Sequence, residues 1–207
     1  AVAVGQGALF SQNFTTATSS YNVAVGYETG GGITTGFQNT LIGGFAGDAL
    51  TDADYNVAIG YNCLTEDTLG SRSVAIGRAA LEVQNFTTAT NAYNVAVGYK
   101  AGGTVTTGIN NTIVGGLAGD ALTVGSGNIA VGINSLGSDT KGSHAVGIGN
   151  GALFAQNFTT ATDAFNVGIG YAAGNAVTTG VGNTLIGASA GDALTEGLSN
   201  IAVGYLT

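Results

Sequence analysis

The fold is decided by the stretch Tyr93-Asn94-Val95-Ala96-Val97-Gly98-Tyr99, because its pattern recurs along the whole chain. Its three central residues alternate β-branched and small side chains, which is typical of a short strand. One face of such a strand carries two β-branched side chains, and the other carries Ala. The Ala face can therefore meet a neighbour at close range, and Gly98 predicts a turn after the strand.

An aliphatic residue followed by glycine marks every recurrence of this strand. Successive glycines are 21, 17, 17 and 17 residues apart, and these four units make a super-repeat of 72 residues. We therefore divide one repeat domain, 1–207, into super-repeats 1–72, 73–144 and 145–207. The twelve glycines are Gly5, Gly26, Gly43, Gly60, Gly77, Gly98, Gly115, Gly132, Gly149, Gly170, Gly187 and Gly204.

The recurring strand and turn predict an all-β chain, folded as a parallel β-solenoid or β-roll of about twelve coils. Each coil is expected to contain a second short strand, in segments such as Gly43–Gly47, followed by a second turn. Stacking at about 4.8 Å per coil would give a rod of about 57 Å. Glycine at this density would cost about 1 kcal/mol at each helix-interior site, which argues against a helical fold.

A ladder of asparagines is predicted at the head of the strands. In most units an Asn stands four residues before the glycine, so equivalent Asn residues of stacked coils lie above one another. The side-chain amide can hydrogen-bond to neighbouring turns, and Asn tolerates a left-handed backbone. We therefore predict a structural role. These residues are Asn22, Asn39, Asn56, Asn94, Asn111, Asn128, Asn166, Asn183 and Asn200.

The composition is that of a folded chain with few charges. The chain contains 37 Gly and no Pro, yet 44% of its residues are hydrophobic, unlike a disordered segment. Its net charge of −8 argues against nucleic acid or an anionic membrane as a partner. No stretch approaches the roughly 20 apolar residues that cross a bilayer, so no membrane insertion is expected. The chain begins inside a repeat and lacks Met, which predicts a fragment of a longer protein.

The unit Asn94–Tyr99, with Thr106–Gly108 and then Asn111–Gly115, resembles the repeats that precede the endosialidase-type chaperone domain in phage tail fibres. It is also similar to the head repeats of trimeric autotransporter adhesins. The resemblance covers the whole chain and implies a homotrimer, extracellular in location, on a virion tail fibre or a bacterial cell surface. Adhesin heads usually have shorter units, so the choice between the two families stays open. A single-chain solenoid that closes its own core is the alternative to the trimer.

The longest unit of each super-repeat contains a polar segment with one aromatic residue. The hexapeptide Asn13–Thr18 recurs as Asn85–Thr90 and Asn157–Thr162. Loops on a rigid scaffold commonly carry recognition, so a host-surface glycan or protein is a possible partner. Inward packing of the aromatic ring is the competing hypothesis. The candidate receptor-binding residues are Phe14, Phe86, Phe158, Thr16, Thr88 and Thr160.

No residue pattern predicts a metal or a cofactor. Asp48, Asp120 and Asp192 are weak metal candidates, since about 19 Å separates them along one rod and only several chains could gather them. Gly168–Ala173 fits a loose dinucleotide-binding pattern, but its first glycine is alanine in the other two copies and no helix signal follows. The lone Cys63 is interpreted as a small packed residue.

Catalysis is not expected either. The single histidine, His144, stands in a Gly/Ser-rich turn and has no repeated partner, so we interpret it as a solvated turn residue. A glycan depolymerase would require paired carboxylates in a groove, and Glu66, Asp67 and Glu82 offer no obvious pairing. We therefore expect a non-enzymatic structural and attachment module of a trimeric fibre. The alternatives are a passive spacer, an ice-binding solenoid, or a non-catalytic part of a depolymerase.

Overall fold

The computed structural model describes the whole chain, Ala1–Thr207, as one solenoid of short β-strands without a helix. The strands are β1 (Val2–Val4), β2 (Val23–Val25), β3 (Thr40–Ile42), β4 (Val57–Ile59), β5 (Gly70–Ser71), β6 (Val74–Ile76), β7 (Thr90–Asn91), β8 (Val95–Val97), β9 (Thr112–Val114), β10 (Ile129–Val131), β11 (Gly142–Ser143), β12 (Val146–Ile148), β13 (Thr162–Asp163), β14 (Val167–Ile169), β15 (Thr184–Ile186) and β16 (Ile201–Val203). This confirms the all-β class.

One parallel sheet runs the length of the molecule. Its twelve strands follow the order β1-β2-β3-β4-β6-β8-β9-β10-β12-β14-β15-β16, and each coil supplies one of them. The register places equivalent residues side by side, as Val23 beside Thr40 and Val74 beside Val95. The predicted parallel solenoid of about twelve coils is therefore confirmed. We number the coils from first to twelfth in the order of these strands.

The second strand expected in each coil is not formed, and that prediction was wrong. Segments such as Gly43–Gly47 are turns, and their amides donate to carbonyls of adjacent coils without forming a strand. Two additional pairs of two-residue strands occur, β5 with β7 and β11 with β13. Both pairs lie where a coil of the longest unit follows a shorter one.

The middle residue of each strand points into the coil. Ala24, Leu41 and Ala58 are fully buried, and together with leucines of the following turns, such as Leu64, they fill the narrow interior. Cys63 is also fully buried, as predicted for a small packed residue, and its burial raises the pKa of its thiol to about 12. The Val and Ile side chains on either side of the middle residue point outward instead. They stack in rows along the rod, but they do not form its core.

Left-handed backbone conformations turn the chain at three corners of the coil. They fall on the residue before the Asn, as in Tyr55 (φ 60°), and on the second and fourth residues after the glycine, as in Asn62 (φ 53°) and Leu64 (φ 53°). The ladder Asn, which tolerates this conformation, does not adopt it; the residue before it does. Such a conformation costs an L-residue roughly 1 kcal/mol or more, so packing between coils has to offset it.

The recurring glycine is required by the close stacking of coils. Gly98 has φ +139°, and a Cβ atom there would lie 2.6 Å from the carbonyl oxygen of Gly115 in the next coil. Real Cβ atoms do not approach an oxygen so closely, and L-residues rarely adopt this φ. The first eleven ladder glycines each meet the next one in this way, which explains why glycine recurs there; the last, Gly204, has φ +138° but no coil beyond it.

The predicted asparagine ladder is present and buried. The Oδ1 atom of Asn94 accepts a hydrogen bond from the backbone N–H of Asn111 at 2.9 Å, and its Nδ2 donates to the Gly108 carbonyl at 2.7 Å. Asn111 repeats both contacts with Asn128 and Gly125. Every buried side-chain nitrogen or oxygen has a hydrogen-bond partner, so the polar edge of the interior leaves no buried side-chain group unpaired.

None of the secondary structure forms a helix that could cross a bilayer.

Candidate functional surface

The outward side of the long sheet, which we call the outer face, carries two rows of β-branched side chains. The row at the third strand position is Val or Ile in all twelve coils. The row at the first position is Val or Ile in every coil except those of Thr40, Thr112 and Thr184. None of these side chains is buried, and Val203 and Val4 at the ends are more than half exposed. A continuous apolar strip of this length on a chain surface is typical of an interaction site.

Two rims of larger side chains border this strip. The leading rim consists of the residues before the Asn position, and the trailing rim consists of the residues after the ladder glycine. From the second to the twelfth coil, the leading rim is Tyr21, Gln38, Tyr55, Arg72, Tyr93, Asn110, Gly127, His144, Phe165, Gly182 and Ser199. The trailing rim in the same coils is Tyr27, Gly44, Tyr61, Arg78, Tyr99, Gly116, Ile133, Asn150, Tyr171, Ala188 and Tyr205.

Stacking orders the side chains within each rim. On the leading rim, the Arg72 guanidinium lies 4.5 Å from the Tyr55 ring centroid and 6.0 Å from that of Tyr93. On the trailing rim, Arg78 lies 5.6 Å from the Tyr99 centroid. Cation–π contacts of this kind fix flexible arginines against the rod. Even so, Tyr93 remains 52% exposed and Tyr99 48% exposed, so the rims present aromatic surface to their surroundings.

Charge is segregated between the outer face and the remaining faces. The chain has twelve acidic residues, and none stands in the two rows or the two rims. Both arginines and the single histidine stand there instead. At a net charge of −8, a chance distribution would scatter carboxylates over this face. The rows and rims themselves therefore contain no acidic residue, although Asp163 contacts the leading rim from beside it, at His144.

The structure separates the candidate receptor-binding residues into two groups. Phe86 and Phe158 are only 6% and 5% exposed, because the ring packs beneath the loop, as the inward-packing hypothesis predicted. These two rings are therefore removed from the candidate contact surface, whereas Phe14 in the first copy is partly exposed. Thr16, Thr88 and Thr160 are exposed at the loop tips. Binding of a receptor by this segment stays a prediction.

A buried carboxylate anchors the base of this loop. The Oδ1 atom of Asp67 accepts hydrogen bonds from the backbone amides of Gly70 (3.0 Å) and Phe86 (3.1 Å), and its Oδ2 accepts one from Nε2 of Gln84 (2.6 Å). In turn, Oε1 of Gln84 accepts a hydrogen bond from Nδ2 of Asn94 at 2.8 Å. This network joins the loop to the asparagine ladder and fixes its position on the rod.

The same network recurs where the third super-repeat follows the second, and our interpretation of the sequence missed it. Asp139 accepts from the amides of Gly142 (3.0 Å) and Phe158 (3.2 Å) and from Nε2 of Gln156. Asp67 is a repeated residue, since Asp139 stands 72 residues later. The recurrence of this Asp and of its Gln partner was the signal that could have revealed the network.

Burial raises the pKa values of four carboxylates of this chain. It raises the pKa of Asp67 above its ordinary value of 3.8, and the hydrogen bonds from Gln84 and from three backbone amides only partly oppose the shift. Burial likewise raises the pKa values of Asp48, Asp54 and Asp120. Ionising these groups in the folded chain therefore costs more free energy than in the unfolded chain.

His144 is more constrained than the solvated turn residue we expected. Its side chain is 53% exposed, but Nδ1 lies 2.9 Å from Oδ1 of Asp163, and the ring stacks on Phe165 at 5.5 Å between centroids. Arg72 makes the equivalent contacts in the preceding super-repeat, to Asn91 at 3.0 Å and to the Tyr93 ring. His144 thus has a repeated counterpart, and both side chains brace the base of the loop.

The weak metal candidates are not brought together. The structure contains no group of three or more His, Cys, Asp or Glu residues that could hold a metal ion. Asp48 instead accepts a hydrogen bond from the Thr65 hydroxyl at 2.7 Å. It also borders a shallow cleft of about 460 Å³ with Glu28 and Phe10 near the first coils. The equivalent cleft of the next super-repeat is smaller, about 140 Å³, and has Lys100 in place of Glu28.

No protein-family model, no curated protein and no solved structure matches the chain.

Proposed function

We propose that this chain is a rigid structural and attachment module of a trimeric fibre, either a phage tail fibre or a cell-surface adhesin. The observation that carries the proposal is the outer face, an apolar strip without a single carboxylate on a chain of net charge −8. A monomer would leave this apolar surface exposed to water, whereas a fibre assembled from parallel copies would bury it.

Rigidity follows from the repeated coil. Units of 17, 17, 17 and 21 residues stack on a glycine ladder and on a buried asparagine ladder, so bending would break hydrogen bonds in several coils at once. A parallel stack of twelve strands extends the chain by about 57 Å. A fibre uses such a rod to hold a binding surface away from the virion or the cell.

Homotrimerisation is supported by the size of the outer face. The strip and its rims cover seven residue positions across, about 20 Å, and about 57 Å along the rod, which gives roughly 1,100 Å² per chain. Shared between two neighbours, as in a closed ring of three chains, this face gives about 550 Å² per partner and about 1,100 Å² per interface. That is below the usual value of about 800 Å² per partner but above the roughly 1,000 Å² in total that a biological interface should bury.

Attachment is assigned to the loop tips of the three longest coils. Thr15, Thr16 and Ala17 are exposed, and neither threonine hydroxyl forms a hydrogen bond within the chain. The same three residue types recur, exposed, at residues 87–89 and 159–161. Neutral hydroxyl and methyl groups on a fixed base suit a host-surface glycan or a polar protein surface, and four coils place them about 19 Å apart.

A glycan array tests the attachment function. The chain, labelled and applied as its native assembly, is expected to bind a defined group of glycans, and the triple variant Thr16→Ala/Thr88→Ala/Thr160→Ala is expected to lose that binding. The matched control is Thr35→Ala/Thr107→Ala/Thr179→Ala, since these exposed threonines have the same spacing but lie outside the long loops. If the chain binds no glycan and no host-surface protein, the passive spacer replaces the attachment module.

A further inference from the structure

We infer that a groove over the first four coils, where two clefts share Asp48, binds a saccharide that carries a free amino group. The groove lies on the turns that follow the ladder glycines, beyond the trailing rim. It is separate from the loop tips to which attachment is assigned above, and it is a second binding site on the chain.

The first cleft provides a place for an organic cation. It has a volume of about 460 Å³ and is bordered by the carboxylates of Glu28 and Asp48 and by Phe10, whose side chain is 85% exposed. Burial, and then the negative charge of Glu28, raise the pKa of Asp48. A cation between the two carboxylates would relieve this repulsion, and an aromatic ring also attracts an ammonium group.

The second super-repeat supplies such a cation from its own chain. There Lys100 replaces Glu28 and lines a smaller cleft, about 140 Å³, together with Glu82 and Asp120. Burial raises the pKa of Asp120, and the positive charge of Lys100 partly opposes that shift. The first cleft lacks the ammonium group that its copy contains, so a ligand is needed to supply it.

The second cleft provides a surface for a sugar ring. It has a volume of about 310 Å³ and is lined by Phe45, Asp48, Tyr61, Asn62 and Thr65. The Phe45 and Tyr61 rings stand edge to face, with 6.0 Å between centroids. The Thr65 hydroxyl donates to Asp48 at 2.7 Å, and the side-chain amide of Asn62 has no partner within the chain. Aromatic rings beside a few polar groups suit the C–H face and the hydroxyls of a sugar.

Asp48 joins the two clefts into one groove. Phe10 in the first coil and Tyr61 in the fourth are three coil steps apart, about 14 Å along the rod, which accommodates a short oligosaccharide. Phe10, Glu28 and Asp48 all lie outside the rows and rims of the outer face. Assembly through the outer face would therefore leave the cation-binding cleft open.

The fold does not require the aromatic residues of this groove. The second super-repeat forms the same coils with Leu117 in place of Phe45 and Ile133 in place of Tyr61. Residues that recur every 72 positions serve the coil, whereas these two rings distinguish one stretch of the rod from its copy. Exposed side chains that depart from a repeat on a rigid scaffold are typical of recognition.

Charge selects among saccharides. Two carboxylates repel acidic sugars and favour a protonated amine. Titration calorimetry with a linear tetramer of glucosamine, at about pH 6 to keep its amino groups protonated, is expected to show one site per chain. The fully N-acetylated tetramer is expected to bind at least about tenfold more weakly, because acetylation removes the charged donor. An oligomer of glucuronic acid should not bind.

Two variants import residues of the second super-repeat, so their coils are expected to form normally. Glu28→Lys reproduces Lys100 and should abolish binding of the glucosamine tetramer. Phe45→Leu/Tyr61→Ile should weaken binding roughly five- to tenfold, through the loss of both rings. The matched control is Glu196→Lys, which changes the net charge equally at an exposed position in the eleventh coil and should leave the affinity unchanged.

The outcomes separate this groove from the proposed attachment at the loop tips. The variant Thr16→Ala/Thr88→Ala/Thr160→Ala should bind the glucosamine tetramer like the unmodified chain. No binding by the unmodified chain, or equal weakening by Glu28→Lys and Glu196→Lys, would overturn the inference and leave the loop tips untouched. Equal affinity for a capped lysine, which has the ammonium group without the sugar ring, would also overturn it.

Discussion

The inner and outer sides of the same strands obey different rules. Inward positions hold Ala, Leu, Ile or Gly, according to the space that the next coil leaves, and Ala75 and Ile113 are fully buried. Outward positions hold Val or Ile almost without exception, although the folded chain leaves them uncovered. The inner side therefore reports how one chain folds. The outer side carries apolar side chains that one chain alone leaves uncovered.

The largest effect is expected on the inner side, at the glycine ladder. Gly98→Ala would place a Cβ atom 2.6 Å from the Gly115 carbonyl oxygen at φ +139°. Strain and overpacking together should cost about 4 kcal/mol of unfolding free energy, measured by chemical denaturation. Gly116→Ala is the matched control, because its Cβ would meet nothing, and it should change stability by less than about 0.5 kcal/mol. Equal effects of the two variants would refute the ladder.

The next effect is expected at the asparagine ladder. Asn111→Ala removes a donor to the Gly125 carbonyl and an acceptor for the Asn128 amide, both buried. We expect a loss of about 2–4 kcal/mol, since each unsatisfied buried group costs about 1–3 kcal/mol. Ser73→Ala should cost less, about 1 kcal/mol, because the equivalent residue of the next super-repeat is Ala145. A larger loss for the serine variant would contradict this ranking.

The third prediction compares the two sides of one strand directly. Ala75→Val adds two methyl groups to a filled interior and should lower the unfolding free energy by about 1–3 kcal/mol. Val74→Thr on the outer face should leave that free energy nearly unchanged, since Thr40 and Thr112 occupy the same row.

A second comparison concerns assembly. The double variant Val57→Asp/Val74→Asp should keep the fold, as measured by circular dichroism, and should be monomeric in solution. An assembly that survives both carboxylates would contradict the role of the outer face.

The smallest effect is a dependence on pH. The pKa values of Asp48, Asp54, Asp67 and Asp120 are raised by burial, so the folded chain binds more protons than the unfolded chain above pH 3.8. Their contribution to stability is thus fully present below pH 3.8 and decreases as the pH rises through the folded-state values. Thermal melts should show a higher midpoint at mildly acidic than at neutral pH. Asp67→Asn should flatten that slope, whatever its absolute stability, and an unchanged slope would exclude Asp67 as a contributor.

Much of the fold could be predicted from the sequence, because the solenoid repeats one local pattern. The glycine positions, the strands such as Val23–Val25 and the asparagine ladder follow from spacing alone. The missing second strand could not be predicted, since it depends on left-handed corners at residues such as Tyr55 and Leu64, which usually avoid that conformation. Side-chain type alone did not reveal those corners.

The candidate surface was less predictable. Spacing indicated the long loops and their threonines, but whether Phe86 points inward or outward depends on a carboxylate 19 residues earlier, Asp67. The outer face became visible only when the register aligned its rows and rims. Alternation could indicate that Val and Ala occupy opposite sides of a strand, but not which side encloses the core.

The mass of the chain in solution, measured by light scattering coupled to size exclusion, tests the central claim most directly. If the outer face is built to be covered by other copies, the chain of 20.2 kDa should elute as an assembly of three times that mass. A monodisperse monomer at micromolar concentration would show that the apolar strip stays uncovered in water. That result would contradict the claim that the outer face binds other copies of the chain.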